Sequence, residues 1–207
     1  MEKEEMEKEE LETKESVQDS TEPEGKKKGS VIKSVLIELC IYAVIFVVCI
    51  WIMPRYVYCR NVVTGSSMCD TLQQGDHLIT EKVSYELGDP KRFDVVVLEP
   101  HVLYSADPDE LYVKRVIGLP GETIEIKGND IFINGKKLEE HYGREPIYDE
   151  FYYPERKLGD DEYFVMGDNR NVSRDSRDET VGPIRREYIQ GKVVLRIWPL
   201  KSFSVIK

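Results

Sequence analysis

Cysteine and histidine are scarce here, four of one and three of the other in 207 residues. There is no CxxC pair and no His/Cys cluster, so no ligand set for a structural zinc or other metal is in view. Cys40 and Cys49 fall inside an apolar run, where a thiol behaves as a small hydrophobe. Cys59 and Cys69 could pair only if the fold brought them together, which their spacing does not decide. A disulfide framework is therefore not expected. Excess positive charge is also missing: 29 Lys and Arg face 39 Asp and Glu, for a net charge of −10. Without a basic stripe the chain has no footprint for a nucleic-acid partner.

The acidity is concentrated at one end. Residues 1–24 hold 11 acids against three lysines, a net of −8. A segment so acidic, with almost no large apolar residues, cannot bury enough surface to offset its ordering entropy. Residues 1–25 are expected to be disordered, within a cytoplasmic tail over 1–30 that ends in a basic stop. The rest of the chain has room for one soluble domain and its appendages.

Residues 31–53 read VIKSVLIELCIYAVIFVVCIWIM, and from Val35 to Met53 the only charge is Glu38. About 20 helical residues span a hydrocarbon core, so the segment over 31–54 is expected to cross a membrane once, stopped by Pro54-Arg55. It starts late and lacks a small-x-small cleavage site, which argues against a cleavable leader. A core helix would show a polar face, and this one has almost none. Lys26, Lys27, Lys28 and Lys33 precede the apolar core that starts at Val35, and Arg55 and Arg60 follow it. The positive-inside rule then puts the amino terminus in the cytoplasm and everything from about residue 56 outside. Trp198, Phe203 and Val205 could settle at a lipid interface or pack under the body.

Beyond the span the pattern is β-rich. Strands are expected at His77–Thr80, Phe93–Leu98, Leu111–Ile117, Thr123–Ile126, Asp130–Ile133, Tyr163–Met166 and Lys192–Ile197, punctuated by Gly, Pro and Asn-Gly turns. Asn134-Gly135 is the dipeptide best suited to a type I′ hairpin turn. Pro183–Tyr188 suggests a short turn of helix. The fold class is mainly β: one amino-terminal transmembrane helix, then an antiparallel β-domain made of 55–122 and 163–207. Residues 123–162 read as a hairpin-based subdomain inserted into it, although 134–160 are Tyr-, Glu- and Pro-rich with little alternation.

Three stretches carry chemistry: Thr64-Gly-Ser-Ser-Met-Cys-Asp-Thr-Leu72, Tyr112-Val-Lys-Arg-Val-Ile-Gly-Leu-Pro-Gly-Glu122, and Val165–Arg177 with its Gly-Asp-Asn-Arg. The first sets a serine beside Gly65 in a turn, where backbone N–H groups can face a developing oxyanion. The second puts Lys114 on a strand face with Tyr112 and Val116, an apolar setting that lowers an amine's pKa. That is what a lysine base needs near neutral pH. Arg115 points the other way and stays charged. The third, dense in Asp, Asn, Ser and Arg, suits a buried network that fixes the lysine. Singly, these would be a turn, a solvated strand face and a surface loop. Their joint occurrence behind one apolar span points to a site.

The three stretches, with GDHLITEK (75–82), PKRFDVVVLEP (90–100) and YFVMGDNR (163–170), resemble the signature boxes of the bacterial type I signal peptidases, the Ser/Lys-dyad leader peptidase family, in its Gram-positive-like single-anchor form. The similarity runs from the anchor through Ile197. It implies a serine endopeptidase of the plasma membrane that cuts signal peptides from secreted preproteins after small residues, Ala-x-Ala in type. Ser67 stands at the nucleophile position and Lys114 at the general-base position. Ser173 matches the serine that orients the ammonium. Asp168, Asp175 and Arg177 match scaffold positions, with Arg115 the partner of Asp168. Met68, Leu72 and Val113 match the P1 pocket, and Val63 lies near the P3 pocket. No metal or nucleotide cofactor is implied. The expected partners are preproteins and the lipid bilayer, with the enzyme acting as a monomer.

Some positions depart from the family. Asp70 replaces a proline after Ser-Met-x, and Asn171-Val172 replaces a frequent Asp-Asn. Gly65 stands where some members carry a serine that donates to the oxyanion, leaving mainly the backbone N–H of Ser67, with or without a neighbouring one. The SOS-repressor autoproteases share a Ser/Lys dyad but lack the anchor. The endoplasmic-reticulum type has His at the base position, and His77, His101 and His141 all lie outside the motif. A different class, a membrane-anchored non-catalytic binding module of the same fold, is disfavoured by the intact dyad.

Overall fold

In the computed structural model, residues 24–99, 111–143, 145–148 and 151–206 are described. The acidic residues 1–23, for which disorder is expected, and the stretch 101–110 lie outside them. The apolar run forms helix α1, Glu24–Val47, continued by a wider, π-wound segment over Val48–Val57. The winding therefore passes Pro54, where a stop is expected. Proline removes one N–H from the ladder, and the change of winding takes up that defect. Within it, Ile32–Trp51 form a 20-residue span of mean hydropathy 2.5, none of it covered by protein. The chain divides after Trp51 into two compact units, and all strands among the described residues fall in the second.

The second unit is built on an antiparallel eight-stranded sheet of β1 (Tyr58–Val62), β2 (His77–Glu81), β3 (Val95–Leu98), β4 (Tyr112–Gly118), β9 (Glu162–Met166), β10 (Ile184–Arg185), β11 (Ile189–Trp198) and β12 (Ser204–Val205). The order is β1-β2-β11-β3-β4-β9-β10, with β12 on β11. β3 reads Val-Val-Val-Leu without alternation because both its faces are covered. Val95 and Val97 join Val63, Met68, Leu72, Leu78 and Val193 on one side. Val96 and Leu98 join Val116, Tyr163 and Val165 on the other. A central strand sandwiched in this way favours β-branched residues at every position.

Thr123–Lys127 (β5), Asp130–Ile133 (β6), Lys136–Lys137 (β7) and Tyr152–Lys157 (β8) make a second antiparallel sheet, in the order β7-β6-β5-β8. Asn134 and Gly135 both take positive φ, 51° and 74°, as a type I′ turn requires. Ile124, Ile126, Ile131 and Ile133 point to one side and pack on Ile117, Phe164 and Met166 of the first sheet. That packing binds the second sheet to the strands carrying the chemistry.

Several elements escaped the sequence pattern: β1, β8, β10, β12 and the short helix α2, Val83–Leu87. β8 contains Pro154, which cannot donate to a ladder. It is tolerated because β8 is an edge strand whose register shifts between Tyr153 and Arg156. The expected strand from Phe93 starts two residues later, because Phe93 itself takes φ +72°. Pro183–Tyr188 holds one 3₁₀ turn, at Arg186–Tyr188. All four cysteines are free thiols. Trp198, Phe203 and Val205 are more than half exposed rather than packed under the body.

Candidate active site

The chain leaves β1 into a loop whose neck is closed by Val63 N–H donating to Asp76 O (2.9 Å) and Gly75 N–H to Val63 O (2.9 Å). Gly65 opens it at φ +87°, a conformation with little penalty only for glycine. A tight turn follows, with the N–H groups of Thr71 and Leu72 donating to Met68 O. Met68 and Leu72, four apart, plug the turn into the core beside Val63 and Val113. Thus the four residues matched to the substrate pockets lie in one buried apolar cluster, and Ser67 stands half-buried above it.

Lys114 lies opposite Val96 in the sheet and is 1 % exposed. Its Nζ donates to Ser67 Oγ at 2.8 Å and lies 5.7 Å from the centre of the Tyr112 ring. Burial brings its pKa down from 10.5 to about 8; Asp175 pulls against that, and Arg177 adds to it. Arg115, on the opposite face, is also only 1 % exposed, so that face is not solvated. Its guanidinium grips Asp168 with Nε (2.9 Å) and Nη2 (2.8 Å) and donates Nη1 to Phe93 O (2.8 Å). The Tyr142 ring stacks on it at 3.8 Å.

The loop after β9 wraps behind the nucleophile. Asp168 also accepts from Thr71 Oγ1 at 2.5 Å. Asp175 accepts the Gly167 N–H (2.9 Å) and a two-pronged bond from Arg177 (2.8 Å each). Arg170 forms a two-pronged ion pair with Glu140. Each buried guanidinium here thus has a carboxylate, whereas Lys114 has a hydroxyl. Gly167 is needed for close approach. A Cβ there would collide with the Ser67 carbonyl and the Ser173 hydroxyl, and would sit 2.6 Å from Ser173 Cβ.

Ser67 and Lys114 are brought together, as are Asp168 with Arg115 and Asp175 with Arg177. Ser173 is brought near by way of Gly167, yet its hydroxyl is buried without a hydrogen-bond partner among the described residues, Lys114 included. Two further groups hold the nucleophile loop. Asn169 donates its N–H to Ser67 O (2.9 Å) and Nδ2 to Ser66 O (3.1 Å). Arg196 donates to Thr71 O and Asp76 Oδ2, both at 3.1 Å. Asn169 lies inside the Gly-Asp-Asn-Arg stretch, but its targets are backbone carbonyls, which leave no side-chain signature; Arg196 carries no motif. Among the described residues no group of three His, Cys, Asp or Glu could hold a metal.

Residues 35–198 match the family described as signal peptidase, peptidase S26. A probable signal peptidase I-2 of Synechocystis is 37% identical over 88% of this chain and 82% of its own length. Signal peptidase I of Bacillus caldolyticus is 40% identical over 72% and 84%. Signal peptidase IB of Staphylococcus aureus is 31% identical over 84% and 95%. A crystal structure of a signal peptidase I from Enterococcus faecalis is 31% identical, with a TM-score of 0.41 over 51% of this chain and 97% of that one. With its apolar amino-terminal helix and these relatives, the chain is a membrane-anchored enzyme that belongs to the signal peptidase family, peptidase S26.

Proposed function

We propose that the chain removes signal peptides from secreted preproteins as a serine endopeptidase, with Ser67 as nucleophile and Lys114 as general base. The observation that carries this is the 2.8 Å contact of a buried amine with a half-buried hydroxyl. The amine has no carboxylate partner among the described residues, and its pKa is lowered to about 8. A neutral fraction therefore exists at pH 7–8, and it can accept a proton.

In the first step Ser67 Oγ bonds to the scissile carbonyl carbon while its proton passes to Lys114 Nζ. The carbonyl π pair moves to oxygen, and collapse expels the new amino terminus, which takes the proton from Lys114. Water, giving a proton to the same amine, then bonds to the acyl carbon; the bond to Ser67 Oγ breaks, Lys114 returns the proton to Oγ, and the signal peptide leaves as its carboxylate. Val63, Met68, Leu72 and Val113 form a filled apolar floor, which suits small side chains at P1 and P3. The anchor concentrates the enzyme beside substrates held by their own apolar segments. Lys26, Lys27, Lys28 and Lys33 before the apolar core at Val35–Met53, against Arg55 and Arg60 after it, favour a cytoplasmic amino terminus. Both dyad members come from one chain, so the chemistry needs no second copy.

Ser67→Ala and Lys114→Ala are each expected to abolish preprotein cleavage, read as loss of the new amino terminus by sequencing, with the β-fold retained by circular dichroism. Wild-type turnover in either variant would sink the assignment.

A further inference from the structure

Ser66 O is the carbonyl of the peptide unit that carries the Ser67 N–H, and Ser67 O that of the unit carrying the Met68 N–H. In a trans peptide the carbonyl and the N–H point in opposite directions, so fixing one fixes the other. Ser66 O is held by Asn169 Nδ2 (3.1 Å) and the Cys69 N–H (3.1 Å), and Ser67 O by the Asn169 N–H (2.9 Å). Among the described residues, the N–H groups of Ser67 and Met68 donate to nothing. They face away from Asn169, with their directions set by it. Asn169 is itself fixed: it is 7 % exposed, and its carbonyl accepts the N–H groups of Val172 and Ser173. At Gly65 there is no side-chain donor, and the space a Cβ would enter is open to 4 Å.

We infer that Asn169 is the positioning residue of the oxyanion site: it orients the peptide units of Ser67 and Met68 so that their N–H groups meet the charge developing on the scissile carbonyl. This rests on the dyad reading above. Donors held in place before reaction need no reorganisation as charge develops. Hydrogen bonds to the carbonyl ends also polarise the N–H ends and strengthen what they donate.

The test uses the full-length enzyme in detergent and a peptide aldehyde ending in alanine, ¹³C-labelled at the carbonyl. Ser67 Oγ–H adds across the aldehyde to give a hemiacetal, and the pH at which that hemiacetal ionises reports the oxyanion donors. Asn169→Ala is expected to lower kcat roughly 10- to 100-fold with KM within about twofold. The acid-limb pKa should stay near that of the wild type, and the hemiacetal titration should move up by about one unit or more. Asn169→Leu, nearly the same shape without the Nδ2 donor and without added charge, gives the same readings if the alanine variant does not fold. Asn171→Ala controls for loosening of the loop. It removes bonds to Pro146 O and from the Tyr148 N–H and should leave the titration unmoved. An unshifted titration in a folded Asn169 variant overturns the inference, whether or not kcat falls. A hemiacetal that persists in Ser67→Ala overturns the dyad reading and this one with it, and that variant tells the two failures apart.

Discussion

Lys114 shares its surroundings with two buried guanidinium groups, and the carboxylates go to the guanidiniums: Asp168 to Arg115 and Asp175 to Arg177. The amine is left with a hydroxyl, and burial lowers its pKa to about 8. That arrangement has a stability consequence. Between pH 8 and 10.5 the unfolded chain holds a proton on this lysine that the folded chain does not, so stability rises with pH through that window. Below pH 8 the full cost of a buried charge applies. Lys114→Met, which keeps the stem without the charge, is therefore expected to stabilise the fold at pH 7 by about 3 kcal/mol. Chemical denaturation should show the gain shrink from pH 8 upward and vanish above pH 10.5. Ser67 and Lys114 were legible in the sequence because a glycine-flanked serine and a strand lysine each sit in a distinctive stretch. Asn169 was not, since it acts on backbone carbonyls about a hundred residues away.

At the scale of elements, the loop after β9 behaves as a brace. Asp175 takes the Gly167 N–H and the Arg177 guanidinium while almost wholly buried. Removing it leaves a buried cation and a backbone donor unsatisfied. Asp175→Ala is expected to cost about 3–5 kcal/mol, read as a lowered urea midpoint. The strands legible in advance were those rich in β-branched residues, β3, β4 and β11 among them. β8 was hidden by Pro154, which only an edge position permits, and β1 by its place directly after the apolar run. The Ser173 hydroxyl shows the same boundary: its motif suggests a bond to the lysine, but its position over Gly167 depends on how closely two loops approach.

At the scale of the whole molecule, one apolar helix and one β-body divide the work between location and chemistry. The proposed orientation rests on the flanking charges, Lys26, Lys27, Lys28 and Lys33 before the apolar core at Val35–Met53 against Arg55 and Arg60 after it. Protease added outside intact spheroplasts is expected to remove a carboxyl-terminal tag and to spare an amino-terminal one; the reverse pattern would overturn the orientation.

The central claim, that a neutral lysine activates Ser67, is tested most directly by the pH dependence of kcat/KM, which reports groups of the free enzyme. An acid limb is expected with an apparent pKa near 8, where Lys114 gains its proton. Activity that held level from pH 8 down to about pH 5 would contradict a lysine base.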